Sequence, residues 1–284
     1  IERVYSDEAK TGIFEEDNPF LEMVSDDLLE TSVAVANRWK EEFIVSENQK
    51  TNDLVFIQFS KEGVDHFAFL RIALRETLTH LGGDVDNPIK LTQNNLPGFG
   101  TGADEALVIN LQSRKYHLIE KRIKYNGTFL NYFSENLLQA QPKISPKKSI
   151  KALEKTAQQI AESFNTDDFQ FQSKVKSAIF NHIEEENKLS PEKLADDLFD
   201  DNLTARLSFI DQVKEAIPEP VTFEEIDASR QLKKFENQKL SLSNGIELIV
   251  PNSVYEDAES VEFILNDNGT YSILIKNIED IQSK

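Results

Sequence analysis

Apolar positions along the chain change their period three times, and the changes divide it into four stretches. Up to about residue 50 the spacing is helical. Val33, Ala36, Trp39 and Phe43, with the aliphatic stem of Lys40, recur at three- and four-residue intervals and predict a helix over 31–43 with one buried face. From residue 54 the period drops to two. The runs 54–59 and 66–74 flank the turn Lys61-Glu62-Gly63, and 106–111 and 116–123 flank the polar segment 112–115. Both pairs read as antiparallel hairpins of one sheet. Between them, 81–101 carries Gly82, Gly83, Pro88, Pro97, Gly98 and Gly100 and reads as loop.

After Gly127 the period returns to about 3.6. A helix is expected over 129–138, stopped by Gln141-Pro142. Ser145-Pro146 then offers a capping hydroxyl followed by proline at the first helical position. Ile150, Leu153, Ala157, Ile160, Ala161 and Phe164 mark the buried stripe of that helix. Asp167 or Asp168 is the expected cap of a helix through Val175, Ile179, Phe180 and Ile183. Ser190-Pro191 repeats the start signal with Glu192 behind it, and 203–216 completes the block before Pro218 and Pro220. From Val221 the pattern is β again. Strands are expected at 240–242, 245–250, 261–265 and 271–275, with Asn244-Gly245 and Asn268-Gly269 as hairpin turns. The expected fold is α+β: antiparallel or mixed-sheet hairpins, a central helical block, and a C-terminal antiparallel β-rich subdomain. The expected regions are 1–127, 128–217 with the basic helix discussed below, and 218–284.

Composition supports a folded chain. Of 284 residues 39% are hydrophobic, 19 of them Phe, enough for a real core despite 29% charged residues. The longest apolar runs fall far short of a membrane span, and the start carries no basic segment followed by an apolar one. The chain opens on Ile1, from which a missing upstream segment is expected. There is no cysteine, which rules out disulfides, thiol catalysis and Cys-ligated zinc and fits a reducing interior. Three Asn-x-Thr triplets begin at Asn126, Asn202 and Asn268 and read as chance matches.

A search for chemistry finds little. The histidines His66, His80, His117 and His182 are far apart, and no His-Glu-x-x-His is present. The stretch Pro97-Gly98-Phe99-Gly100-Thr101-Gly102 lacks the Gly-Lys-Ser/Thr ending of a phosphate loop, and no Gly-x-Ser-x-Gly elbow occurs. Asp84-Val85-Asp86-Asn87 starts like a calcium loop but runs into Pro88, with Asn95 where a bidentate Glu belongs. Asp196, Asp197, Asp200 and Asp201 share a helix face that could hold a hard cation, and more simply form a solvated face. The expectation is therefore no catalytic residues, no cofactor, no metal, and a protein that is not an enzyme.

Charge singles out one region. The net charge is −19, which would repel nucleic acid if spread evenly. It is not spread evenly, because residues 114–155 hold 10 Lys+Arg against 3 acids. Lys147, Lys151 and Lys155 stand at i, i+4 and i+8 on the helix after Pro146, with Lys148 and Lys143 beside them, on a face distinct from the apolar stripe. Arg114, Lys115, Lys121, Arg122 and Lys124 lie on the second hairpin and its exit. Such cations suit phosphate contacts; pairing with the chain's 50 acids is the competing expectation.

Several segments also resemble the bacterial nucleoid-associated protein family. They are Val221-Thr222-Phe223-Glu224-Glu225, then Arg230-Gln231-Leu232-Lys233-Lys234-Phe235, then the glycine turn and apolar strand within 240–250, and Tyr271-Ser272-Ile273-Leu274-Ile275-Lys276. Phe129-Leu130-Asn131-Tyr132-Phe133 and the basic helix after it are similar to a Phe-Phe helix and a basic, Ala-rich helix of that family. The resemblance covers about two thirds of the chain, by order and spacing more than by any single motif. It implies location at the nucleoid and association with double-stranded DNA, nucleoid proteins or both. It implies no membrane contact and no catalytic residues, and leaves a homo-oligomer open. The strongly negative net charge departs from what tight DNA binding would lead one to expect.

Overall fold

The computed structural model describes residues 2–46, 50–80, 89–98, 100–165, 169–217, 220–223 and 225–282. The chain divides into two compact units, Ile1–Ser145 and Pro146–Lys284.

The first unit runs β1 (Lys10–Ile13), α1 (Pro19–Glu22), α2 (Leu28–Ile44), β2 (Asn52–Lys61), β3 (Val64–Ala73), β4 (Arg75–His80), β5 (Ile89–Asn95), β6 (Glu105–Asn110), β7 (Lys115–Ile119), β8 (Ile123–Tyr125) and β9 (Thr128–Leu130). A single π-helical turn, Phe133–Leu137, follows. Five strands form one antiparallel sheet in the order β1-β7-β6-β3-β2, so both expected hairpins do share a sheet. The β2–β3 loop is the two residues Glu62 and Gly63, both left-handed at φ 55° and 79°. That mirror-image turn matches the twist of the flanking strands.

Side-chain size sorts the two faces of the sheet. Phe67, Phe69, Leu107, Ile109, Tyr116 and Leu118 point to one side, where Val35, Trp39 and Phe43 of α2 and the aromatic pair Tyr132-Phe133 cover them. Ala68, Ala106 and Val108 point to the other, under Val4 and Ala9. Fully burying each Phe contributes on the order of 1.5–3 kcal/mol. The face that α2 buries is Thr31, Val35, Trp39 and Phe43, a strict four-residue row. Val33, expected inside, is 54% exposed. Thr31 takes its place because Ser25 N–H donates to its hydroxyl at 2.8 Å, and Asp27 caps the helix by accepting from Leu29 N at 2.8 Å.

Two expectations in this unit are corrected. Part of the expected loop 81–101 is strand: β5 pairs with β4, held by the Thr77, Thr79, Thr92 and Asn95 side chains on one face. Its apolar residues Leu78, Ile89 and Leu91 remain exposed, so no burial pattern marks the ribbon. Gly82, Gly83 and Pro88 lie outside the described residues. The expected helix 129–138 is mostly not a helix. Asn126 and Gly127 are left-handed (φ 49° and 81°) and join β8 to β9, which leaves only the π-helical turn. A turn that meets two positive-φ requirements outweighs a short helical period.

Beneath α2 lies a buried ionic network. Arg71 Nε donates to Glu105 Oε2 at 2.6 Å, with side chains 2% and 0% exposed. Tyr132 Oη donates to the same Oε2 at 2.5 Å, Trp39 Nε1 donates to Tyr132 Oη at 3.0 Å, and Arg71 also reaches Asn52 Oδ1 at 2.7 Å. Glu105 Oε1 has no partner among the described residues. Burial pushes the Glu105 carboxyl above its ordinary value despite the Arg71 charge and the Arg71 and Tyr132 hydrogen bonds.

The second unit runs α3 (Pro146–Ser163), α4 (Phe169–Glu186), β10 (Lys188–Leu189), α5 (Pro191–Leu198), α6 (Leu203–Ala216), β11 (Val221–Thr222), α7 (Glu225–Phe235), β12 (Asn237–Ser241), β13 (Glu247–Pro251), α8 (Asn252–Tyr255), β14 (Val261–Leu265) and β15 (Tyr271–Ile275). The stripe Ile150, Leu153, Ala157, Ile160, Ala161 is buried, and Phe164 packs against it, joined by Val175, Ile179, Ile183, Phe199, Phe209 and Ala228. Ser190 caps α5, accepting from Lys193 N at 3.5 Å. Asp167 and Asp168, the expected caps of α4, lie outside the described residues.

Ser145 does not cap α3. It is buried, and its Oγ has no hydrogen-bond partner among the described residues. Pro146, with φ already near the helical value, starts the helix instead. The β pattern expected from Val221 starts with β11 but is interrupted by a helix. Ala228 and Gln231 are buried, with Leu232 and Phe235 packed against the core, and this period makes 225–235 a helix. Both C-terminal Asn-Gly pairs do turn hairpins, with Gly245 and Gly269 at positive φ closing three-residue loops. A buried amide cluster ties β12 and α8 to α4: Gln238 Nε2 donates to Asn252 Oδ1 at 2.7 Å, and Ser177 Oγ donates to the same atom at 2.8 Å.

Candidate nucleic-acid interface

The ten cations of the basic region fall in both units. In the first, most are engaged. Lys121 Nζ lies 2.7 Å from Asp104 Oδ1, and Arg122 donates to the Phe129 carbonyl at 2.6 Å. Arg114 sits in the β6–β7 turn at φ 59°, with its guanidinium 3.9 Å from Glu16. Lys115 opens β7 opposite Ile13, and Lys124 lies on β8 opposite Phe129. Lys143 is exposed, its backbone N–H donating to Thr11 O at 2.7 Å. This set lies on the second hairpin and its exit, with Lys121, Arg122 and Arg114 set against an acid or a carbonyl.

The second set stands on α3. Lys147, Lys148, Lys151 and Lys155 are all exposed, on the face away from the apolar stripe. At 1.5 Å rise per residue the row from Lys147 to Lys155 is about 12 Å long. Lys148, Lys151 and Lys155 have no ion-pair partner within 4 Å among the described residues. Glu154 lies half-buried beside the row. Burial pushes its carboxyl above the usual value, against the pull of Lys176 on α4 and of Lys151. Lys176 belongs to this neighbourhood, and only packing of α4 on α3 reveals it.

The start of α3 has an unusual charge pattern. Lys147 and Lys148 occupy its first turn, which contains no acid, and no serine hydroxyl caps it. Cations there oppose the positive end of the helix dipole, each at a cost of about 0.3–1 kcal/mol when exposed. An anion seated at this turn would reverse the sign of that term. All four side chains are lysines, which hold phosphates as point charges and lack the planar fork of arginine.

The remaining chemical candidates resolve into local pairs. Asp196 lies 3.1 Å from Arg206, Asp197 2.6 Å from His182 Nε2, and Asp200 3.1 Å from Lys174. Asp196 and Asp200 each face a cation and Asp197 a histidine, so these three are drawn to separate partners rather than to one shared site. Among the described residues no group of three or more His, Asp or Glu side chains is placed to hold a metal ion. The glycine stretch around Thr101 and Gly102 borders a cavity of about 230 Å³ lined mainly by Val4, Leu70, Ile72, Ala106 and Ile119. Its one cation, Arg3, is already paired with Glu8 at 3.0 Å. Asp84 to Asn87 lie outside the described residues. The asparagines of the three triplets have conformational duties: Asn126 turns a hairpin, Asn202 caps α6, and Asn268 accepts from Thr270 N at 3.0 Å.

Fold and surface together define an acidic α+β protein of two units that carries one exposed lysine face. No helix among the described residues is long and apolar enough to cross a membrane. The family model described as nucleoid-associated protein YejK matches residues 1–281, so the chain belongs to that family of nucleoid-associated proteins. No curated protein matches it.

Proposed function

We propose that this protein contacts nucleoid DNA directly, weakly and without sequence preference, through the exposed lysine face of α3. The observation that carries the reading is the row Lys147, Lys148, Lys151 and Lys155, exposed on one helix whose acid-free first turn favours an anion. Four phosphate contacts correspond to a slope of about −3 to −4 in log K against log[salt]. The net charge of −19 repels the rest of the duplex and keeps affinity low at physiological salt. Arg114, Lys115, Lys121, Arg122, Lys124 and Lys143 make a second, weaker contact region in this reading. The site of action is then the nucleoid within the bacterial cytoplasm, and the role is that of a binding protein, with no reaction assigned to it.

The test is fluorescence anisotropy of labelled duplex DNA over a salt series, with the triple variant Lys147→Glu/Lys151→Glu/Lys155→Glu beside the native chain. Circular dichroism checks that the variant folds. Micromolar binding with the stated slope, reduced at least about thirtyfold in the variant, is expected. Equal behaviour of the two proteins, or no binding by either at low salt, rejects the lysine face. The second reading, recruitment by partner proteins, then stands. The acidic surface favours it, since such a surface attracts basic proteins.

A further inference from the structure

Near the end of the chain, β14 and β15 form a hairpin with one apolar face (Val261, Phe263, Leu265, Tyr271, Ile273 and Ile275) and one on which Ile264 and Leu274 stand beside Glu262 and Ser272, and much of its apolar surface is exposed. Leu265 is 63% exposed, Tyr271 52%, Ile275 48% and Leu274 47%. One face touches Phe169 of α4 through Phe263 and Tyr271, with ring centroids 5.2 and 5.1 Å apart. No third strand lies beside either strand among the described residues. An apolar strand with an open edge is a ready template for another strand.

The hydrogen-bond phase shows which edge is available. Asn266 N donates to Thr270 O at 2.8 Å and Lys276 N to Ser260 O at 2.9 Å, so the even-numbered pairs bond inside the hairpin. Antiparallel alternation then turns the N–H and C=O of Tyr271, Ile273 and Ile275 outward from β15, and those of Val261, Phe263 and Leu265 outward from β14. The β14 edge is already in use at its start, because Val261 N donates to Asp257 O at 3.0 Å. The outward groups of β15 have no such backbone partner among the described residues.

Charge decides what fits there. The base of the hairpin holds one ammonium, Lys276, 2.6 Å from Glu262 and also within the field of Glu259 and Asp257. One cation against three carboxylates leaves this end negative, and Asp267 adds another acid at the turn. Antiparallel pairing of β15 with itself would bring two such hairpins together in chains of net charge −19 each. A cationic strand meets attraction where a second copy meets repulsion.

We propose that the β15 edge accepts, as an added strand, a segment of a partner protein in which lysine or arginine alternates with β-branched residues. The inference goes beyond the DNA reading and does not depend on it. It is tested with the full chain and a fluorescein-labelled peptide of alternating lysine and valine. The same peptide N-methylated on alternate amides serves as control: its charge is identical, but it cannot complete the strand ladder. The unmodified peptide should bind at least about tenfold tighter. Ile273→Pro, which removes an outward N–H and no bond within the hairpin, should abolish the difference. If that variant does not fold, the comparison of the two peptides on the native chain decides alone. Equal affinity for both peptides means electrostatic adhesion only and overturns the proposal. So does failure of both peptides to bind, or a dimer in sedimentation equilibrium that Ile273→Pro dissociates.

Discussion

Replacing Arg71 by Met keeps the length of the side chain and removes the cation hydrogen-bonded to the buried Glu105 carboxylate. The two side chains are 2% and 0% exposed with 2.6 Å between Nε and Oε2, so water cannot take over the lost contact. Breaking a buried pair from one side costs about 3–5 kcal/mol, because the remaining charge keeps its desolvation penalty. The sign of the pH dependence follows. Burial already holds the Glu105 pKa above the ordinary 4.5, and losing Arg71 raises it further. The native state then binds a proton that the unfolded state has released, so stability falls as pH rises from about 4.5 through the folded pKa. A second substitution, Glu105→Gln, removes both the charge and this dependence while keeping an acceptor for Tyr132. The assay is urea unfolding followed by the fluorescence of the chain's single tryptophan, Trp39, whose indole N–H donates to Tyr132 in the same network. At pH 7 the Arg71→Met midpoint should drop by about 2 M, given a urea dependence of about 2 kcal/mol per M. The double variant should recover at least about 2 kcal/mol, and the single and double variants should converge below pH 4.5. A loss under about 1 kcal/mol, or parallel pH profiles for the two, would refute the reasoning.

Two further substitutions test local readings. Ser145→Ala removes a buried hydroxyl that has no partner among the described residues, so stability should hold or rise by up to about 1 kcal/mol. A loss of about 1 kcal/mol in thermal unfolding would instead show that the hydroxyl caps α3. Gly12→Ala places a methyl 2.3 Å from the Tyr116 hydroxyl oxygen. That ring is 1% exposed and packed against Phe14 with centroids 4.4 Å apart, so it cannot withdraw, and a loss of about 1–3 kcal/mol is expected. Tyr116→Phe in the same background should return part of it, and no return would mean that the clash is with the ring.

Several local signals hold where one residue type meets a backbone requirement by itself. Glu62-Gly63, Asn244-Gly245 and Asn268-Gly269 turned the chain where expected, and Ser190-Pro191 started a helix. The same logic applied to Asn126-Gly127 would have found the β8–β9 hairpin; there the apolar spacing after Gly127 pointed to a helix that the turn had already excluded. The β4–β5 ribbon had no comparable signal. Its strands are held by threonine and asparagine side chains, and its apolar residues face solvent, so neither period nor burial distinguished it from loop.

For the lysine face, sequence determined the spacing: the i, i+4, i+8 row and its separation from the apolar stripe follow from helical periodicity alone. What each cation touches was decided by tertiary structure, because ion pairs form between residues distant along the chain. Lys121 and Asp104 are 17 positions apart and directly bonded, while Lys151 and Lys155 lie among polar neighbours with no ion pair among the described residues. Burial of Arg71 against Glu105, 34 positions away, was equally beyond periodicity. A single strand pattern shows which positions alternate; only the sheet shows that β3 lies at its interior, covered on both faces, where a charge must find its partner.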